Sequence, residues 1–349
     1  MKTFINSNNL LAMALMSVAA ATGCDTGDDA DFGAGDVTER CLNGCGGIKL
    51  NTFAFGKLAA GELARNFNEI YNDTRLAEVR LLCSKDNKQK WRFPKSCNEA
   101  PSFKLEDVWS DRGELKGKAE GLEFGRADFL KSEWYIQFYE NGQQNDKVTL
   151  TVNKYEEQPG YHFYTFDYPN PDQSGPKDTQ IVPACKETLD PVTGQYVGTK
   201  AVAIEDIVVD TTTGVIDRKN GMIYIACVSA AVGKATLWGF TPYDAQVEVE
   251  NFTTAVRAVR ADYCGDGESY TTVGNALQLK DKWGYSGFNN PGPTEALWGE
   301  HGAVCLGKPR WTNVVSYSDV LCNGNKIEPC KVGADLSTYT DTQFWSTLP

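Results

Sequence analysis

Eleven cysteines but only two histidines, His162 and His301, occur in the sequence, so thiol chemistry is far better supplied than imidazole chemistry. A cysteine nucleophile needs a base or a cation beside its sulfur. His301, four residues before Cys305, is the one histidine close in sequence to a cysteine, which makes Cys264 or Cys305 with His301 a candidate pair. His162 sits in an alternating aromatic stretch, where a satisfied structural imidazole is the ordinary outcome. A serine hydrolase lacks its elbow: no GxSxG occurs, and Gly284, Tyr285, Ser286 and Gly287 do not make one. Acids are better placed. Asp262, Asp266, Glu268, Glu295 and Glu300 crowd two short segments, and two carboxyls in a cleft suffice for glycoside cleavage. Trp283 and Trp298 in the same region suit either stacking on a sugar ring or filling a core. Yet 46 acids make some clustering unavoidable, and Asp266 with Gly267 is a good turn. Asp262, Asp266, Glu295 and His301 therefore form the alternative functional cluster, ranked behind a reading with no intrinsic catalytic site.

Metal chemistry finds little support. Zinc prefers close pairs such as CxxC, whereas Cys41 and Cys45 offer a single CxxxC whose neighbours Gly44, Gly46 and Gly47 suit a tight disulfide loop. A calcium loop counted from Asp28 places Gly33 and Glu39 correctly, but Ala30 and Phe32 bring no side-chain oxygen to the third and fifth positions. No metal and no cofactor are expected.

The N-terminus reads as an address. Lys2 gives a thin positive region, residues 10–22 are an apolar and small-residue run of signal-peptide length, and the run ends in Ala21, Thr22, Gly23, Cys24. That order resembles the bacterial lipobox, which implies a leader over 1–23 and a lipid on Cys24. Setting Cys24 aside leaves ten cysteines, an even set that five disulfides would consume: Cys41, Cys45, Cys83, Cys97, Cys185, Cys227, Cys264, Cys305, Cys322 and Cys330. Such usage fits an oxidising compartment, with the protein held at a membrane of the cell envelope, or secreted if Cys24 stays unmodified. Residues 25–40 carry six acids and one base and read as a solvated tether.

The elements that must position any site are mostly strands. In residues 133–140 (EWYIQFYE) Trp134, Ile136 and Phe138 share one face, opposite Tyr135, Gln137 and Tyr139. Residues 78–83, 148–152, 162–166, 202–209 and 221–227 also read as strands, and 210–214 (DTTTG) as a hairpin connection. Pro169, Pro171, Gly175 and Pro176 argue against sheet across 168–180. One helix is expected over 251–264, with Asn251 as N-cap, Gly265 after its end, and Phe252, Val256, Val259 and Tyr263 as its buried stripe. Arg257 and Arg260 lie off that stripe, where they complement the helix dipole. The fold class is α+β and β-dominated: a disulfide-rich extracytoplasmic domain with antiparallel strands and one prominent helix before Cys264. Its expected divisions are the leader at 1–23, the tether at 24–40, a mixed region at 41–131, a β-rich domain at 132–332 and a tail at 333–349. A formal charge of −12 with no basic stripe disfavours nucleic acid as a partner.

Two segments carry a family resemblance: residues 260–271 (RADYCGDGESYT) and 295–311 (EALWGEHGAVCLGKPRW). Supporting pieces are the PAC ending at Cys185, the YIAC ending at Cys227, the WGFTPY at 238–243 and the later pair Cys322 and Cys330. Together they resemble the ADYC-domain family of myxobacterial and related secreted proteins over about 133–330. The family has no established activity, so the resemblance implies location and architecture, not mechanism. Members often carry two further cysteines at positions that here look like Ala235 and Ala255, and their joint absence is what loss of one disulfide produces. Sequence proximity and the family segments suggest the pairs Cys41 with Cys45, Cys83 with Cys97, Cys185 with Cys227, Cys264 with Cys305, and Cys322 with Cys330. The function so implied is binding of an unidentified extracellular or envelope ligand by a membrane-tethered module, with an extracytoplasmic hydrolase as the alternative.

Overall fold

The computed structural model describes residues 61–349 except 84–93, 170–180, 186–187, 190–195, 198–199, 242–246, 272–274, 289–290 and 311–315. The leader, Cys24, the tether, Cys41 and Cys45 lie outside the described residues, as does most of the proline-rich stretch.

Short apolar alternations give β1 (Glu62–Ala64), β2 (Thr74–Leu82), β3 (Ser102–Lys104), β4 (Asp107–Asp111), β5 (Glu114–Ala119) and β6 (Leu122–Gly125). The long strands follow: β7 (Glu133–Glu140), β8 (Gln143–Gln158), β9 (Tyr161–Pro169), β10 (Ile181–Pro183), β11 (Thr188–Leu189), β12 (Tyr196–Val197), β13 (Ala201–Val209) and β14 (Ile216–Cys227). Helices α1 (Ala231–Leu237) and α2 (Val249–Arg260) precede β15 (Gln278–Asp281), β16 (Thr294–Gly299), β17 (Gly302–Leu306), β18 (Leu321–Cys322), β19 (Asn325–Lys326) and β20 (Phe344–Thr347).

Nine strands pair antiparallel in the order β1-β14-β13-β9-β8-β7-β2-β3, with β10 added to β9. The expected division near 131 therefore runs through one sheet, since β2 pairs β7 from Thr74 opposite Phe138 to Arg80 opposite Glu133. The two-residue period at the centre of this sheet feeds two cores. Ala201, Ala203, Ile223 and Ile225 face one that includes Trp134, Phe166 and the inner residues of the β4-β5-β6 sheet. Val202, Ile204, Tyr224 and Ala226 face the other, shared with α1, α2 and the four-stranded sheet β15-β20-β16-β17.

Helix α2 lies between two layers, and every residue from Asn251 to Arg260 is buried. The expected stripe Phe252, Val256, Val259 and Tyr263 is buried, but the helix ends four residues earlier than its periodicity suggests. Ala261 turns left-handed at φ 54°, and the N-cap is Glu248, not Asn251. Residues 333–349 contribute to a sheet. Their strand, β20, pairs β15 on one side and β16 on the other and buries Phe344, Ser346 and Thr347.

Candidate functional site

Among the described residues four disulfides join Cys83 to Cys97, Cys185 to Cys227, Cys264 to Cys322 and Cys305 to Cys330. The first two are the pairs that proximity suggests. The last two exchange partners relative to expectation, because Cys322 opens a small hairpin beside the exit of α2 while Cys330 returns next to β17 through Leu306. Neither Cys264 nor Cys305 carries a free thiol for His301 to activate, and His301 is exposed.

The two central acids of the sequence clusters, Asp262 and Glu295, are both 0% exposed, and each is closed by partners from this chain. On β16, Glu295 receives Arg310 in a fork: Nε donates to Oε1 at 2.9 Å and Nη2 to Oε2 at 3.0 Å. Tyr263 Oη donates to the same Oε1 at 2.8 Å and in turn accepts the Arg310 backbone N–H at 2.9 Å. Arg310 also donates to the carbonyls of Val259 and Ala258 at 2.9 and 2.7 Å, in the last turn of α2. A buried charge pair survives only when its remaining polar atoms are satisfied, and this one meets that condition.

Asp262 closes the next turn. Its two oxygens accept the backbone N–H groups of Asp266 at 3.2 Å and Gly267 at 3.0 Å. Arg257 donates to the carbonyls of Glu300 and Gly265, and Arg260 to that of Gly267 at 2.5 Å. Both arginines are buried, so their part is to hold the turn after α2, not to face solvent at a helix end. Burial lowers the pKa of each guanidinium and outweighs the nearby Asp262 carboxylate. Two glycines allow the segments to meet. Gly267 has φ +90°, and a Cβ there would lie 1.8 Å from the Thr212 carbonyl oxygen of the 210–214 hairpin. Gly302 has φ +116°, and a Cβ would lie 2.6 Å from the Tyr263 carbonyl oxygen.

The remaining candidates scatter. Asp266 and Glu300 are exposed at the rim. Trp298 is fully buried, stacks on Tyr263 at 5.3 Å and donates to Ser346 Oγ at 2.8 Å. Trp283 is half-buried with its edge against Phe344. His162 hydrogen-bonds Tyr155 at 2.9 Å within the large sheet, a structural placement. Among the described residues no group of three or more His, Cys, Asp or Glu side chains is arranged to hold a metal ion, and no helix is long and apolar enough to cross a membrane.

The domain model that fits this chain, the ADYC domain, matches residues 126–312, more than half of it. The chain belongs to the ADYC-domain family. No curated protein and no solved structure matches it. The motif that names the ADYC domain is thereby explained residue by residue: Ala261 takes the left-handed turn, Asp262 caps the following one, Tyr263 bonds Glu295, and Cys264 is bound to Cys322. Tyr263 and Arg310, which complete the buried cluster, carry no catalytic spacing in the sequence, where one reads as core and the other only as part of the second segment. Ala235 and Ala255 sit fully buried in one core, on the packed helices α1 and α2. An ADYC domain together with four disulfides among the described residues fits an extracytoplasmic protein.

Asp262 makes the ADYC domain sensitive to pH. Burial raises its pKa from an ordinary 3.8 to about 6, although Arg260 and Arg257 pull it down. The folded state then holds a proton that the unfolded chain releases, so this stabilisation is complete below about pH 4 and is lost as pH rises through about 6. The displacement of roughly two pH units corresponds to about 3 kcal/mol. Asp262→Asn should remove that component of the slope between pH 4 and 7 in urea unfolding. Glu62 and Glu205, also raised by burial, keep theirs. An unchanged slope in the variant would contradict the assignment.

Proposed function

We propose that this protein is a lipid-anchored, extracytoplasmic binding module without an intrinsic catalytic site. The observation that carries the reading is the closure of Glu295 by Arg310 and Tyr263: the best-placed acid for hydrolysis has both oxygens bonded and no exposure. A general acid must reach the proton it transfers, and opening Glu295 would dismantle the end of α2. Asp262 is committed to two backbone N–H groups in the same way. The anchor rests on the small residues before Cys24 and on the odd total of eleven cysteines.

Two measurements on the protein produced with its own leader test this. Mass spectrometry of the membrane fraction should find a chain that starts at Cys24 and carries a diacylglyceryl adduct. The same preparation should release no reducing ends from acidic or neutral polysaccharides. An unmodified N-terminus elsewhere would remove the anchor from the reading. Release that is lost in Asp266→Asn or His301→Ala, two exposed positions, would establish the hydrolase instead.

A further inference from the structure

We infer that the outer face of β2, β3 and β7 binds an acidic oligosaccharide, one whose sugar units carry carboxylates. The proposal rests on the reading of the chain as a binding module and names the ligand class that such a module would take.

The fold assembles here what the sequence does not show as a stripe. Arg75 and Arg80 point outward from β2, Lys104 from β3, and Tyr135 and Gln137 from β7, around a groove of about 720 Å³ that Phe67 also lines. That volume falls within the roughly 300 to 1,000 Å³ typical of small-molecule sites. Three cations line the groove with one acid, Glu78, while Glu133 stands just beyond on the Tyr135 hydroxyl, which leaves an excess of positive charge in a chain whose formal charge is −12. Salt screens charges beyond about 8 Å at physiological ionic strength, so the local field governs a ligand lying in it. Aromatic rings support the cations: Tyr139 lies 5.9 Å from the Arg75 guanidinium, Tyr135 5.9 Å from that of Arg80 and Phe67 5.8 Å from the Lys104 ammonium.

The cations are not equivalent. Glu78 pairs with Arg80 and, at 3.4 Å, with Lys104. Arg75 has no carboxylate partner among the described residues, and its Nε is buried without an acceptor. A guanidinium left over beside a groove offers a carboxylate two parallel donors.

Two features select a sugar. The groove lies on a sheet face, where β2 pairs β7 from Thr74 to Arg80 and β3 from Arg80 to Leu82, whereas a peptide that adds as a strand needs a free edge and not a face. Glu78 in the lining disfavours a ligand that is only anionic, whereas hydroxyl groups can donate to it and also match the amide of Gln137. A bulge between Leu76 and Glu78 brings Ala77 into the groove lining, where a small side chain takes up little of the space. The adjoining groove, lined by Glu69, Glu106 and Asp107 against Arg65, has the opposite sign and bounds the site on that side.

Calorimetric titration of the protein with alginate oligomers, neutral manno-oligosaccharide and poly-glutamate at about 0.15 M salt tests this. Alginate should bind, the neutral sugar should not, and Arg75→Ala should weaken alginate roughly tenfold or more with an unchanged melting temperature. Glu78→Ala should weaken alginate and strengthen poly-glutamate. No alginate binding, or poly-glutamate binding as tight as alginate with both strengthened by Glu78→Ala, would overturn the assignment. Alginate that binds and is cleaved would overturn the non-catalytic reading while leaving the groove in place.

Discussion

Arg310→Met is expected to lower the unfolding free energy by about 3 to 5 kcal/mol, the cost of leaving a buried carboxylate without its partner. The size follows from how much one side chain does. Arg310 supplies both hydrogen bonds of the fork to Glu295 and two to the carbonyls of Ala258 and Val259, from a side chain only 2% exposed. Methionine fills a similar volume but returns none of these donors. Lysine at 310 would keep the charge and lose the fork, so Arg310→Lys should remain well below wild type. Glu295→Leu alone strands the guanidinium and should cost a comparable amount. The double change Glu295→Leu with Arg310→Met removes both charges and should be far less destabilised than the sum of the singles. Urea unfolding of the four proteins reads the coupling directly. Additive losses in the double variant, or a loss under about 1 kcal/mol for Arg310→Met, would show that the pair does not act as a unit.

That cluster also shows where sequence reasoning stops. Strand β7 was legible to its exact bounds because Trp134, Ile136 and Phe138 alternate with half-buried polar and tyrosine positions. The core stripe of α2 was legible for the same reason, at a different period. Its end was not, because Ala261 takes the left-handed turn with no glycine to announce it, and Arg310, from the second family segment, bonds the carbonyls of Ala258 and Val259. The acids were found by type, and their spacing could not say that Glu295 faces an arginine and Asp262 two backbone N–H groups. Strand β20 was missed because Ser346 and Thr347 are buried through pairing with distant β15 and β16, without an apolar alternation to announce it. The groove was invisible for a related reason. Arg75, Arg80 and Lys104 are spread over thirty residues of sequence and become neighbours only when Arg80 registers opposite Lys104.

Cys264→Ser and Cys322→Ser should each destabilise the protein by about 4 kcal/mol on the chain-entropy estimate, given the 58-residue separation that the bond closes. The bond matters for geometry as well as entropy. It ties the residue after Tyr263 to the β18 hairpin, at the point where Asp262, Gly265 and Gly302 bring the two family segments together. Against a typical stability of about 5 to 15 kcal/mol, that loss is a large fraction of the whole. Because both changes break one bond, the double variant should be no worse than either single one. Cys264→Ser combined with Cys305→Ser separates the observed pairing from the one that proximity suggests. If Cys264 were bonded to Cys305, that double would again equal a single loss. With Cys264 on Cys322 and Cys305 on Cys330, two bonds are lost, the second closing a 25-residue separation worth about 3.5 kcal/mol, and the losses should add. Thermal and urea unfolding of these variants under non-reducing conditions decide it: an additive Cys264 and Cys322 double, or a non-additive Cys264 and Cys305 double, would reassign the bonds and with them the clamp on the exit of α2.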